Sequence, residues 1–195
     1  MEMTMTAEDY KARTARSYKL ILLFAMVSMT MMFAGLTSAY VVSQSRADWL
    51  KDFQLPTAFF YSTAVIIACS LTFHLAKKAI QKDNRSATTS FLLATLALGI
   101  LFVILQFVGF GQIVASGYYF TGTESSITTT FLYVVTFVHL AHLTGGLISL
   151  LIIIYNHFKQ KYNSSQTLGI ELGAMYWHFL DLLWVYLFLF LYFFK

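Results

Sequence analysis

Four times the chain runs for twenty residues or more without a charged side chain, at residues 20–42, 57–76, 87–115 and 127–157. A fifth run, 170–194, carries only Glu171 and Asp181. Roughly 20 apolar residues let an α-helix cross a hydrocarbon core about 30 Å thick. Backbone polar groups in lipid must be satisfied within the segment, which makes these runs helices. The expected fold is an all-α membrane protein of five transmembrane helices. Residues 20–195 form one domain behind a polar tail at 1–19. Of the 195 residues 58% are hydrophobic and 11% charged, which excludes an ordinary water-soluble globule. The one proline, Pro56, stands where it can open the second helix without losing a hydrogen bond.

Lysine and arginine sort by side. The tail carries four, the loop after the second span four, and the loop after the fourth two. The first loop carries two, the third none and the C-terminal end one. The positive-inside rule then places the N-terminus in the cytoplasm and the C-terminus outside. The tail lacks a short apolar core followed by a small-residue cleavage site, so the first span reads as an uncleaved signal anchor. The net charge of +4 is spread over short loops, which does not suggest nucleic acid. Cys69 is the only cysteine, so there is no internal disulfide and no thiolate cluster. Trp49 and Phe53 read as interfacial anchors. Gly35, Ser38 and Ala39 offer a small-residue contact strip, and the methionines between Met26 and Met32 read as adaptable packing.

Ionisable groups inside the spans are the candidate functional residues, because burying them in lipid is costly. The last span contains Tyr176-Trp177-His178-Phe179-Leu180-Asp181-Leu182-Leu183-Trp184. His178 and Asp181 share a helical face, and Glu171 falls two turns earlier on roughly the same stripe. The plain reading is a structural His–Asp pair that glues helices; a proton relay or metal site is the other. His139 and His142 repeat the spacing in the fourth span, with Gly145-Gly146 one turn on. They read as interhelical hydrogen-bonding groups, the glycines admitting a close neighbour. A metal or haem is the competing reading, against which stands the shortage of further ligands. Gln106 is the one strongly polar side chain of the third span, and Gly109 and Gly111 mark where that span bends or ends.

Taken together, His139-Leu140-Ala141-His142, the glycine pair and the Tyr176–Trp184 motif with its upstream Glu171 resemble subunit III of the haem-copper terminal oxidases. The likeness is nearly continuous over residues 136–192 and looser before that, and it suits the family's five-helix form. It implies an accessory subunit of a respiratory oxidase in which cytochrome c is oxidised, oxygen reduced to water and protons pumped. Such a chain binds no haem, copper or other cofactor. Those sit in partner subunits I and II. On this resemblance His139, His142, Glu171, His178 and Asp181 are structural and proton-adjacent. Lys159 and Lys161, with Trp177 and Trp184, face phospholipid in a lipid-filled cleft. The implied location is a bacterial-type cytoplasmic membrane, with a larger respiratory supercomplex as a further partner. One departure stands out: in the first span Met29, after Ser28, replaces the carboxylate the family commonly carries there.

The same family also serves quinol oxidases and nitric oxide reductases, and nothing in these residues picks the electron donor. Two readings from other classes are an independent membrane metalloprotein using His139, His142 and His178, and an ion-coupled transporter using Glu171, His178 and Asp181. Transporters of that kind show internal repeats and broken helices, and neither is evident in the sequence.

Overall fold

The computed structural model describes residues 6–47, 49–50, 54–122, 126–164 and 166–194. The anchoring read for Phe53, the loop charges Asp48, Lys51 and Asp52, and the terminal Lys195 lie outside the described residues. Five helices follow one another: α1 (Ala7–Ser43), α2 (Thr57–Gln81), α3 (Arg85–Ala115), α4 (Ile127–Phe158) and α5 (Leu168–Phe193). All five are long and apolar enough to cross a membrane.

The first helix extends well into the polar tail. Thr6 caps it by accepting from the Asp9 amide at 3.2 Å, while the Asp9 carboxylate accepts from the Thr6 amide. This reciprocal box satisfies two otherwise orphaned donors. At 1.5 Å per residue, the 37 residues of α1 reach about 55 Å, far more than the bilayer core needs. Pro56 precedes α2 directly, and Ser126 caps α4 in the same reciprocal way with Thr129.

Helices α2 and α3 form a tight hairpin through Lys82, Asp83 and Asn84. Asn84 caps α3 by accepting from the Ala87 amide at 3.1 Å. Asp83 sits in the left-handed region at φ 53°, where a short polar side chain is tolerated better than most. Its carboxylate accepts from the Ser164 amide at 2.8 Å and so ties this hairpin to the α4–α5 loop. Arg85 adds a second tie by donating to the Tyr162 carbonyl at 3.0 Å.

The Ser164 hydrogen bonds hold the Asp83 carboxyl below its usual range, with Arg85 a lesser cause. A depressed carboxyl stabilises the fold above the unfolded-state value of about 3.9 and loses that effect as pH falls through the folded value. Exchange of the Ser164 amide should therefore quicken as pH drops below about 4, after correction for intrinsic exchange. Asp83→Asn, which keeps the turn residue and an acceptor, should abolish that pH dependence. An unchanged profile in the variant would remove Asp83 as its source.

Helix α5 lies at the centre and packs on α1, α2 and α4; α3 closes the group between α2 and α4. Helix α1 leans on α4 and α5 and does not pack on α2 or α3 among the described residues. Its Phe33 joins Val135, Leu183 and Leu187 in a small apolar cluster separate from the main core. Tyr40 meets Trp49 edge-on at 4.7 Å, so Trp49 is packed against protein as well as placed at a helix end.

Two groups of small residues take different places in the structure. Helix α3 continues through Gly109 and Gly111 to Ala115, so these glycines do not end it. Gly109 instead lies against the Phe59 ring, where a Cβ would collide with Cε1 and Cδ1. The small strip Gly35, Ser38 and Ala39 is exposed, and a Cβ on Gly35 would touch nothing within 4 Å. Among the described residues the strip stays an open face of α1.

Candidate functional site

The intramembrane polar residues do not form one cluster; the helices distribute them over three places. The first is the lysine-rich end of α5. Glu171 follows the start of α5, where the helix dipole favours an acid. Thr167 donates to one carboxylate oxygen at 2.7 Å, and Lys19 of α1 pairs with the other at 2.7 Å. Lys77 of α2 adds a further positive charge on this side. Glu171 is thus one point where α1 is fastened to α5, across 152 positions of sequence; Thr37 with Tyr186 is another.

The second place is the α2–α5 seam. His178 Nδ1 lies 2.7 Å from the Ser70 hydroxyl, and the His74 ring is 6.3 Å from the His178 ring. Asp181 is 4% exposed, and neither of its oxygens has a hydrogen-bond partner of good geometry. The pairing expected between His178 and Asp181 is not formed. A single turn of helix puts two side chains on one face, but here His178 is already engaged across the seam by Ser70. The same hydroxyl is the polar neighbour that acts on the Asp181 carboxyl. Cys69, one residue earlier, points at α3 and donates to the Thr95 carbonyl at 3.2 Å.

The third place is the middle of the bundle, where α4 faces α1, α3 and α5. His139 is fully buried. Its ring lies 6.4 Å from Phe33, 6.1 Å from Phe102 and 5.1 Å from Trp184. Neither ring nitrogen has a partner. His142 Nδ1 lies 2.7 Å from the Val138 carbonyl of its own helix. The interhelical hydrogen bonds expected of these two side chains are therefore not made. Their place is taken by Tyr176, which donates to the His142 carbonyl at 3.0 Å. The expected close neighbour at the glycine pair is found at Gly146, where an added Cβ would come within 2.9 Å of Leu180 and 3.4 Å of Trp177. Gln106, fully buried, donates to Ser62 at 2.8 Å and joins α3 to α2.

Trp177 and Trp184 are 1% and 0% exposed. The lipid contact expected of them is not available, because both indoles are consumed by helix packing; Trp184 also donates to Thr63 at 3.1 Å. Lys161 lines a cavity of about 730 Å³ at the lysine-rich end, together with Lys11, Lys19 and Glu171. Lys159 instead lies over the Tyr155 ring at 5.7 Å. A neighbouring groove of about 890 Å³ opens between α1 and the α4–α5 pair, lined by Ile21, Ala25, Ile148, Ile152 and Tyr176.

The three histidines of the metalloprotein reading diverge. His139 and His142 turn toward Phe33 of α1, whereas His178 turns to α2. Among the described residues no three His, Cys, Asp or Glu side chains come together as metal ligands do. The site residues that sequence reasoning missed are Lys19, Ser70 and His74. Each is an ordinary surface or small polar residue until the packing of α5 gives it a partner.

The family model for cytochrome c oxidase subunit III matches residues 2–195. Cytochrome c oxidase subunit 3 of Drosophila yakuba is 33% identical over 142 residues, covering 73% of this chain and 51% of the relative. The Petromyzon marinus protein of the same name is 31% identical over 143 residues, again with 51% of its length covered. The Spodoptera frugiperda protein is 32% identical over 145 residues, with 90% of its length covered. The chain thus spans about half the length of the first two relatives. With a match running from the second residue to the last, the chain belongs to the cytochrome c oxidase subunit III family.

Proposed function

We propose that this chain is an accessory subunit, without redox chemistry of its own, in a respiratory haem-copper oxidase of a bacterial-type cytoplasmic membrane. It packs on subunit I, with subunit II as a further partner and the haems and copper in those partner subunits, holds phospholipid and supports proton uptake and stability during turnover. The observation that carries the packing is α1. This helix is fastened to the bundle on one side only, and its outward face presents Phe24, Val27, Met31 and the strip Gly35, Ser38 and Ala39. Small residues let a second transmembrane helix approach closely. The groove between α1 and α4–α5 has the apolar lining that acyl chains need. In the neighbouring cavity Lys161 supplies a charge for an anionic head group. The polar groups reach other helices of the same chain: Glu171 meets Lys19, His178 meets Ser70 and Gln106 meets Ser62.

The test is a mild-detergent pull-down on this chain, with a visible spectrum and a subunit inventory of the eluate. Haem should arrive with a larger multi-helix partner and be lost when the chain is isolated alone. The inventory then separates a cytochrome c oxidase from a quinol oxidase or nitric oxide reductase assembly. Haem or metal that stays with the isolated chain would overturn the reading.

A further inference from the structure

The α2–α5 seam carries a graded series of polar groups, which the accessory-subunit reading uses only as ties between helices. At the lysine-rich rim stand Glu171, its partner Lys19, and Lys77. One to two turns inward are His74, exposed, and His178, half-buried, with ring centroids 6.3 Å apart. Next comes Ser70, whose hydroxyl lies 2.7 Å from His178 Nδ1. The series ends at Asp181, whose two oxygens are buried and unpartnered. At 1.5 Å per residue Asp181 lies about 15 Å along α5 from Glu171, near the middle of a core about 30 Å thick. Beyond it the way is shut by Trp184, packed on Phe59 and Phe102, and by the buried Leu187 and Phe188.

We propose that Asp181 is a dead-end proton-exchange site, filled and emptied from the lysine-rich end through Ser70, His178 and His74. A buried carboxyl whose polar neighbour, the Ser70 hydroxyl, is already engaged by His178 is a poor structural strut, because an unmet polar group costs stability rather than adding it. A carboxyl at the end of a hydroxyl–imidazole series is a group to which a proton can be passed. The step balances without any further reactant. Ser70 Oγ takes the proton from Nδ1 of the His178 imidazolium and gives its own hydroxyl proton to an Asp181 carboxylate oxygen. Ser70 is unchanged, His178 becomes neutral imidazole, and Asp181 becomes the carboxylic acid. His178 is recharged from water at the His74 end. The titratable and charged groups facing this path are Cys69, His74 and Lys77 on α2, Lys19 on α1, and Glu171 on α5 itself. Because the path is closed beyond Asp181, the site stores and returns protons on one side and does not conduct them across. This holds whichever oxidase the chain serves, and its failure would leave the accessory-subunit reading intact.

The test is infrared spectroscopy of the full chain in lipid nanodiscs, with deuterium oxide as the probe. A protonated-carboxyl stretch should be present in the wild type near neutral pH and absent in Asp181→Asn. Its shift on deuteration should slow on the order of tenfold or more in Ser70→Ala and His178→Phe, as expected when a positioned proton-transfer group is removed. General loosening of the fold would change the rate in the opposite direction and hasten deuteration, so the sign separates a relay from a structural role. The proposal fails if the wild type lacks the Asp181 band, or if the two relay variants exchange at the wild-type rate or faster.

Discussion

Gly109→Val should separate α2 from α3 and destabilise the chain by about 3 kcal/mol, the upper part of the range for overpacking a tight interior. The reason is local. Phe59 is 1% exposed and its ring is held edge-on by Trp184 at 5.8 Å and Phe110 at 6.4 Å. A single Cβ at position 109 already collides with two carbons of that ring. Valine adds two further methyl groups that the ring cannot escape. Gly109→Ala should fall lower in the range, at about 1–2 kcal/mol. Two positions along the same helix, Gly111 is open, with nothing within 4 Å of an added Cβ. Gly111→Ala should therefore be neutral or stabilising by up to about 1 kcal/mol through helix propensity. Chemical unfolding of the detergent-solubilised chain, followed by helix content, reads all three variants. Equal behaviour of the two alanine variants would show that the contact with Phe59 is not what Gly109 is for.

These two glycines show what kind of information the sequence carries. Their spacing and the apolar run around them are visible in one dimension, and leave open both a bend or end there and a helix that continues to Ala115. What separates them is a ring from another helix, and that depends on the rotation of α3 against α2. The helices themselves were legible because length and lack of charge are local properties, enforced by the bilayer. All five expected spans fall inside the five observed helices but for the last residue, Phe194, which caps α5. The start of α1 was also within reach: Thr6-Ala7-Glu8-Asp9 is a capping-box pattern, and it sets the helix well before the apolar run begins.

The candidate residues were legible as a set and much less so as pairs. Glu171, His178 and Asp181 stand out because ionisable groups are rare in such runs. Their partners are Lys19 and Ser70, more than a hundred positions away in sequence and unremarkable where they stand. Same-face spacing on one helix suggested that His178 and Asp181 would satisfy each other. It could not show that a serine on α2 would reach the imidazole first. Trp177 and Trp184 failed in the same way. An indole near a polar motif suits either a lipid boundary or a crowded interior, and only the position of α5, with neighbours on three sides, makes them interior.

Trp184→Ala should produce the other large effect, about 3 kcal/mol, at the low end of values for truncating a buried Trp. The indole touches every other helix of the α2–α5 group: Phe59 and Thr63 on α2, Phe102 on α3 and His139 on α4. The low end applies because lipid is as apolar as the bundle interior, so the transfer from water that adds to such costs in soluble proteins is small here. What remains is the cavity and the lost contacts. The lost hydrogen bond adds little, since Thr63 still donates to the Phe59 carbonyl at 2.8 Å. Trp184→Phe, which keeps most of the ring, should accordingly cost about 1 kcal/mol, near the net value of one hydrogen bond plus modest repacking. The alanine cavity opens beside the unpartnered nitrogens of His139, and water needs polar partners to occupy a buried hole. Water bonded to His139 would offset part of the loss. Trp184→Ala should then be more damaging when His139 is already leucine than when it is histidine, a coupling that a double-mutant cycle measures directly. Strict additivity would mean that the cavity stays dry and that His139 gains nothing from it.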